Sequence, residues 1–110
     1  MKIPNGDAAI IPIEKIRDYL LSPTHPVGRY KAAVFRQLGF EQSQHERFEV
    51  ALRKQLQQDA AGPEVTEHGA KYVSRGRIEG PNGASAVIVA VWIILAGTKV
   101  PRLVTAYPED

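Results

Sequence analysis

The stretch ASAVIVAVWIIL, Ala84–Leu95, decides the fold of this chain. It carries no charge, it is rich in β-branched side chains, and it contains the only tryptophan, Trp92. Gly83 and Gly97 bound it, so its composition predicts a strand buried on both faces. In a chain of 110 residues, the remaining elements must be arranged to cover this strand.

Length and composition limit the class of protein. The length supports one hydrophobic core, so residues 1–110 are predicted to form a single domain. Hydrophobic residues at 44% and charged residues at 24% are typical of a globular protein. The absence of cysteine excludes disulfides, thiolate metal sites and a cysteine nucleophile. There is no signal-peptide pattern and no stretch of membrane-spanning length, so we expect a cytoplasmic location and no membrane partner.

Three helices are predicted in the N-terminal half, from the spacing of apolar residues and from helix-ending residues. They run from Ile13 to Leu21, from Arg29 to Leu38, and from a capping box at Ser43 and Glu46 to a stop at Gly62 and Pro63. A short edge strand is expected before them, at Ala8–Ile11.

Strands are predicted in the second half. Residues 71–79 alternate aromatic or β-branched side chains with arginines, and Gly80-Pro81-Asn82-Gly83 is a strong hairpin signal before the opening stretch. A turn at Gly97-Thr98-Lys99 leads to a last strand, Arg102–Tyr107. The predicted class is α+β: about three N-terminal helices, within about residues 12–62, pack on one face of an antiparallel β-meander of three to four strands, within about residues 65–108.

The hairpin register predicts what each face of the sheet carries. If Gly80 lies opposite Gly83, then Arg75 and Arg77 share a face with Trp92, and the other face packs on the helices. A basic rim around an apolar strip suits a nucleic acid with bases that can stack. A bulge at Gly83 would shift the register by one and reverse every side chain. The plainer interpretation of Trp92 is core packing.

A second candidate feature is the segment around His25. It places a histidine, a residue type that titrates near neutral pH, close to Arg29 and Lys31 at the start of a helix, where anions are favoured. Metal-free RNA cleavage needs a base for the 2′-hydroxyl, an acid for the leaving oxygen, and cations for the developing charge. The alternative is a loop histidine bonded to backbone and a surface lysine.

The last strand offers further polar groups. Arg102 and Tyr107 are predicted to lie on one face and to flank the hydroxyl of Thr105, although a polar ladder on an exposed face explains the same pattern. Phosphate-binding glycine loops, metal-ligand spacings and a serine-hydrolase elbow are absent from the sequence. We therefore expect neither a metal nor a cofactor.

Two segments carry a family resemblance, YLLSPTHPVGRYKAAVFRQLGF and GPNGASAVIVAVWIILAGTKVPRLVTAYP. They resemble an uncharacterised bacterial family of domains of unknown function, which occur as small free-standing proteins and at the C-termini of polymorphic-toxin-like proteins. The likeness covers Ile13 to Pro108. Its hallmarks are His25, Pro26, Gly28 and Lys31, then Tyr72, the Gly80–Gly83 motif, Trp92 and Ile93, Pro101 to Thr105, and Tyr107.

The toxin-like context of that family implies a small metal-independent ribonuclease of the barnase, EndoU, colicin and RelE-like type. By this analogy His25 is the general base or acid, Lys31 and Arg102 bind phosphate, and Thr105 and Tyr107 position it. A free cytoplasmic nuclease would need restraint by a neutralising partner protein.

Two hypotheses of function follow from the sequence. In the first, the chain cleaves RNA or is an inactive relative of such an enzyme, with Arg29, Arg75, Arg77 and Trp92 as the nucleic-acid-binding residues. In the second, it is a non-enzymatic interaction module or a homodimer that uses the Trp92 and basic face of the sheet.

Overall fold

The structure is a computed structural model, and it describes residues 2–26 and 29–109. Val27 and Gly28, which include one hallmark glycine of the family resemblance, lie outside the described residues. The order of elements is helical first and stranded second. The predicted α+β class is confirmed.

The helices occupy the N-terminal half, as predicted. Their bounds are Ile13–Lys15 for α1, which continues as a π-helical turn over Ile16–Leu20, then Arg29–Gln37 for α2 and His45–Gln55 for α3. Short 3-10 turns at Gly6–Ala8 and Gln42–Gln44 precede α1 and α3. The π-helical turn, α2 and α3 present apolar side chains to the core, and the rings of Phe35 and Phe48 pack with centroids 4.8 Å apart.

The sheet has four antiparallel strands in the order β1-β2-β3-β4. Their bounds are Ala60–Thr66, Gly69–Glu79, Ser85–Leu95 and Arg102–Pro108. The opening stretch of the sequence is therefore β3, an inner strand paired on both sides. Residues 8–11 form only a single parallel bridge, Ile10 with Arg102, at the outer edge of β4.

The third helix differs from its prediction at both ends. Ser43 lies inside the 3-10 turn, and no side-chain cap is present at the start of α3, so Ser43 and Glu46 do not form the predicted capping box. The helix ends at Gln55.

The prediction that Gly62 and Pro63 end the third helix is wrong, because both residues lie within β1. An edge strand tolerates a proline because the missing N–H is not needed on its open side. The pairing of β1 with β2 shifts between Ala61 and Glu64, next to this proline. The sheet therefore starts at Ala60, a few residues before its predicted beginning.

The helices cover one face of the sheet. The hydrophobic core joins helix residues such as Leu20, Phe35 and Leu52 to Tyr72, Ile88, Trp92 and their neighbours on the same face. Trp92 is fully buried, with 0% of its surface exposed. We call the opposite side the outer face; Lys71, Arg75 and Arg77 of β2 belong to it because they alternate with the core residues.

The predicted hairpin register is wrong by one residue. Tyr72 pairs with Trp92, and the Gly80 amide donates to the Ala84 carbonyl at 2.8 Å. The loop therefore contains three residues, Pro81 to Gly83, and Gly83 takes a positive φ of 87°, a conformation typical of such loops. Because of this shift, Trp92 lies on the helix-covered face and not beside the arginines.

The hairpin loop also docks on the end of α2. The Asn82 side chain donates to the Gln37 carbonyl at 2.9 Å, and its backbone N–H approaches the Leu38 carbonyl at 3.4 Å. Carbonyls at the end of a helix lack partners within the helix, so this contact satisfies them. The Gly-Pro-Asn-Gly hallmark thus has a structural role, to seat the hairpin on α2.

The outer face of β3 is shielded by side chains of the neighbouring strands. Arg75 and Tyr107 both oppose Val89, and Arg75 reaches over β3 to form an ion pair with Glu109 at 3.0 Å. Val89 is consequently only 2% exposed, whereas Val87 and Val91 are half-buried. The prediction that this strand is buried on both faces holds for part of its length.

Within the described residues, every helix is too short or too polar to cross a membrane.

Candidate functional site

Three side chains from the segment of residues 19–31 gather next to Thr105 of β4, an edge strand of the sheet. The Lys31 ammonium donates to the Thr105 hydroxyl at 2.9 Å and to the Tyr19 hydroxyl at 3.1 Å. The His25 ring packs edge-to-face on the Tyr19 ring, with centroids 4.9 Å apart. We call Tyr19, His25, Lys31 and Thr105 the β4-edge cluster.

Lys31 is the centre of this cluster. Its nitrogen is 5.1 Å from the Tyr19 ring centroid but 3.1 Å from the hydroxyl, so it contacts the oxygen and not the ring face. A lysine has three N–H donors, and these two contacts use two of them. Because Lys31 is half-buried, the remaining donor can reach a ligand at the surface.

The loop before α2 is ordered by Ser22. The Ser22 side chain is nearly buried, and its oxygen accepts from the backbone N–H groups of Thr24 at 3.3 Å and His25 at 3.2 Å. Such a hydroxyl turn fixes the backbone locally. It therefore helps to hold His25 against Tyr19, which the π-helical turn after α1 presents.

An irregularity in β4 aligns the predicted residues of that strand. Arg102, Thr105 and Tyr107 pair with Ile93, Val91 and Val89, which are alternate residues of β3. Strict alternation along β4 would separate Arg102 from Thr105, but the register shift between Val91 and Trp92 inserts an extra residue. The prediction that the three share one face of the sheet agrees with this register.

The extra residue in β4 is also hydrogen-bonded to a second lysine, Lys15. Val104 is the extra residue, and its carbonyl accepts from the Lys15 ammonium at 2.9 Å. Lys15 is half-buried at the start of the chain segment that leads to Tyr19. Two lysines from two helices thus bind consecutive residues of β4, and this edge of the sheet is positively charged.

An exposed ion pair lies next to Tyr19 in the sequence. Arg17 donates to both carboxylate oxygens of Asp18, at 2.8 and 2.9 Å. These hydrogen bonds hold the pKa of Asp18 below its usual range, and the same carboxylate raises the pKa of Arg17. A carboxylate kept ionised in this way is a poor proton donor, so Asp18 is not a candidate for the general acid.

Of the other predicted nucleic-acid residues, Arg29 lies near the cluster, where its backbone N–H donates to the His25 carbonyl at 3.1 Å, whereas Arg75 and Arg77 lie on the outer face. Arg29 is exposed at the first position of α2. Arg75 is engaged with Glu109 on the outer face, and Arg77 donates to the Ser85 hydroxyl at 3.1 Å.

The prediction that Trp92 stacks on a base is wrong. Its indole N–H donates to the Ser74 hydroxyl at 2.9 Å inside the core, and no part of the ring is exposed. Ser74 in turn donates to the Gln55 side chain at 2.7 Å, and Gln55 donates to the Ile88 carbonyl at 2.8 Å. Trp92 belongs to a buried polar chain that links α3 to the sheet.

Sequence reasoning missed Tyr19 and Lys15. Tyr19 carries no motif, and a regular helix would have been expected where the π-helical turn is found. Lys15 belongs to a charged helix face that is ordinarily solvated. The sequence offered one usable signal, a tyrosine a few residues before the His-Pro segment, but only the packing of the π-helical turn against α2 gives it a partner, Lys31.

No group of three or more His, Cys, Asp or Glu side chains gathers in a metal-binding arrangement among residues 2–26 and 29–109.

The fold is shared with a solved structure of known context. The chain is similar to a chain of a contact-dependent growth inhibition toxin–immunity protein complex from Klebsiella pneumoniae 342, with a TM-score of 0.71 and 14% sequence identity. The alignment covers 91% of this chain and 99% of that one. At this identity the likeness establishes the fold.

The family is established by sequence. A family model described as a domain of unknown function (DUF6883) matches residues 2–110, so the chain belongs to that family. A comparison with curated proteins finds no match. The predicted resemblance to a family of domains of unknown function is confirmed.

Proposed function

We propose that this chain is a metal-independent ribonuclease of the toxin type, and that the β4-edge cluster is its reaction site. The observation that carries the proposal is the position of the Lys31 ammonium, 2.9 Å from the Thr105 hydroxyl and 3.1 Å from that of Tyr19. A fixed cation beside hydroxyl groups and an imidazole supplies the group types that RNA cleavage without a metal requires.

The reaction is an internal transfer on the RNA backbone. The ribose 2′-oxygen attacks phosphorus and loses its proton to a base, and the bond to the 5′-oxygen breaks as that oxygen receives a proton. The products are a 2′,3′-cyclic phosphate and a 5′-hydroxyl. In this scheme His25 serves as the base or the acid, and Lys31 stabilises the charge on the phosphorane oxygens.

Arg102 and Tyr107 extend the site along β4. Both are exposed, and both share the face of Thr105 in the register with β3. Arg102 is placed to bind a flanking phosphate, because a guanidinium matches phosphate geometry. Tyr107 and Thr105 are assigned to positioning of the substrate.

The comparisons support the toxin context. The solved neighbour comes from a toxin–immunity protein complex, and an analogous role for this chain would include a neutralising partner protein. A ribonuclease of this kind acts in the cytoplasm, where its RNA substrate is found. An exposed Trp92 would have favoured a non-enzymatic module, and its burial removes that support, together with base stacking on Trp92.

The test is RNA cleavage by the purified full chain. Total bacterial RNA is incubated with wild type, His25→Ala and Lys31→Met in buffer that contains EDTA, and new 3′ ends are analysed for cyclic phosphate. We expect cleavage by wild type and a loss of at least about 100-fold in each variant.

Matched controls separate a local effect from a general one. His68→Ala and Lys99→Met remove an exposed histidine and an exposed lysine outside the cluster, and both are expected to cleave like wild type. Thermal melting establishes that all variants are folded. Wild type that leaves RNA intact would contradict the proposal, and so would full activity in Lys31→Met.

A further inference from the structure

A groove separate from the β4-edge cluster lies between α3 and the end of β2. Its volume is about 450 Å³, and it is larger than the other groove described on the surface. Arg47, Val50 and Lys54 line its α3 side, while Arg77 and Glu79 line its β2 side. None of these residues takes part in the site proposed above.

The α3 side of the groove combines charge with apolar surface. Arg47, Val50 and Lys54 are spaced by three and four residues, so they share one face of the helix. Val50 is 54% exposed, which is unusual for a valine on a helix that packs on the core. Arg47 and Lys54 form no ion pair with any residue that the structure describes.

The charges of the groove favour an acidic ligand. Among its lining residues, Arg47 and Lys54 on α3 and Arg77 on β2 are cationic, and one, Glu79, is anionic. Glu79 lies on the β2 side, so carboxylates of a ligand are expected towards α3, away from it. Arg47 and Lys54, which have no ion-pair partner among the described residues, would each gain one from an acidic side chain of a ligand. Charges at the rim of an interface also increase the rate at which an oppositely charged partner associates.

The apolar part of the groove favours a protein over a nucleic acid. Single-stranded RNA is bound through aromatic side chains on which bases stack, and the only aromatic residue of the lining, Phe40, is 2% exposed. Val50 and the neighbouring Pro81 offer aliphatic surface, which suits an aliphatic side chain of a peptide.

We propose that this groove docks an acidic segment of a protein partner, with carboxylates on Arg47 and Lys54 and an aliphatic side chain against Val50. The inference does not depend on ribonuclease activity, because it concerns a different surface and a different ligand.

The test uses a defined peptide and the full chain. The acetylated, amidated hexapeptide of sequence EELEEL is titrated into ¹⁵N-labelled protein, and amide shifts are followed by NMR. We expect the largest shifts in α3 and at residues 77–83, and no binding by the matched peptide QQLQQL.

Two charge-matched double variants decide whether the groove is responsible. Arg47→Gln with Lys54→Gln is expected to weaken binding about tenfold. Lys2→Gln with Lys99→Gln removes the same charge from exposed positions elsewhere and is expected to leave binding unchanged. Equal loss in both double variants would show non-specific attraction and overturn the proposal.

The remaining outcomes are also decisive. Absence of peptide binding, or shifts centred on another surface, would overturn the proposal. An oligouridine octamer is titrated in parallel, and stronger shifts of the same amides with this RNA than with the peptide would assign the groove to nucleic acid instead.

Discussion

The ammonium of Lys31 lies 2.9 Å from the hydroxyl of Thr105, and this contact joins α2 to β4, the last strand. Both residues were predicted from sequence as site residues, on separate arguments. Thr105 pairs with Val91 because Val104 is an extra residue in β4. Lys31 reaches Thr105 from α2, at the edge of the sheet. Variants of this contact test the geometry and the proposed reaction together.

The first prediction concerns Thr105→Val, which removes the hydroxyl and keeps the shape. Lys31 loses one of its two anchors, so we expect RNA cleavage to fall about tenfold while the protein remains folded. Thr98→Val is the matched control, since the Thr98 hydroxyl also makes one hydrogen bond, to the Leu95 carbonyl at 2.7 Å, but lies in a turn away from the cluster. The cleavage rate of a short RNA is measured for both variants and for wild type. Wild-type cleavage by Thr105→Val would contradict this role.

The second prediction concerns Tyr19. Tyr19→Phe removes the bond to Lys31 but keeps the ring against His25, whereas Tyr19→Ala removes both. We expect a loss of cleavage of a few fold for the first and a clearly larger loss for the second.

The coupling of Tyr19 with Lys31 provides an additional readout. If Tyr19 acts by positioning Lys31, then Tyr19→Phe should reduce the cleavage rate only slightly in a protein that already carries Lys31→Met. The effects of substitutions at two residues in contact are not expected to add. Additive losses in the double variant would show that Tyr19 works independently of Lys31.

The third prediction concerns the buried chain from Trp92 through Ser74 to Gln55. Ser74→Ala leaves the indole N–H and the Gln55 carbonyl oxygen without their partner in a fully buried place. Each buried polar group left unpaired costs about 1–3 kcal/mol, so for the two groups we expect the free energy of unfolding to fall by about 2–6 kcal/mol. Urea denaturation measures it.

A control separates this effect from packing. Trp92→Phe removes the N–H donor, and in its presence Ser74→Ala should cost less than it does alone. A change within about 0.5 kcal/mol for Ser74→Ala in the wild-type background, the size of ordinary surface substitutions, would contradict the role of this chain.

The fourth prediction compares two glycines of the hairpin. A Cβ at Gly80 would overlap the Leu38 carbonyl, a backbone atom that cannot move aside, while a Cβ at Gly83 would meet open space. Gly83 has the positive φ, 87°, yet we expect Gly80→Ala to be the more destabilising substitution. Overpacking costs about 1–3 kcal/mol or more, and the φ of Gly83 costs an alanine about 1–2 kcal/mol. Urea denaturation gives the order, and the reverse order would contradict the docking of the hairpin on α2.

Much of the fold follows from local sequence. Helices were predictable because apolar residues recur at helical spacing, and the strands because β-branched runs are separated by glycine turns. The capping box at Ser43 and the helix stop at Gly62 were wrong, since a 3-10 turn and an edge strand compete for those residues and local preference is too weak to decide between them. At Gly62, the pairing of β1 with β2 decides in favour of the strand.

The candidate site was predictable in part. His25, Lys31, Arg102, Thr105 and Tyr107 could be selected as polar residues in distinctive segments. Their relation to one another could not, because it depends on how α1 and α2 lie along β4. Tyr19 and Lys15 were missed for the same reason.

The stretch Ala84–Leu95 shows where the boundary lies. Its sequence alone determined that it is a strand and that it lies inside the sheet, since so apolar a run must be covered. Which side of it faces the helices was decided by the tertiary structure. Pro81 to Gly83 all lie in the loop, whose Asn82 side chain donates to the Gln37 carbonyl at the end of α2, and this shift of one residue in the register places Trp92 in the core and not on the outer face.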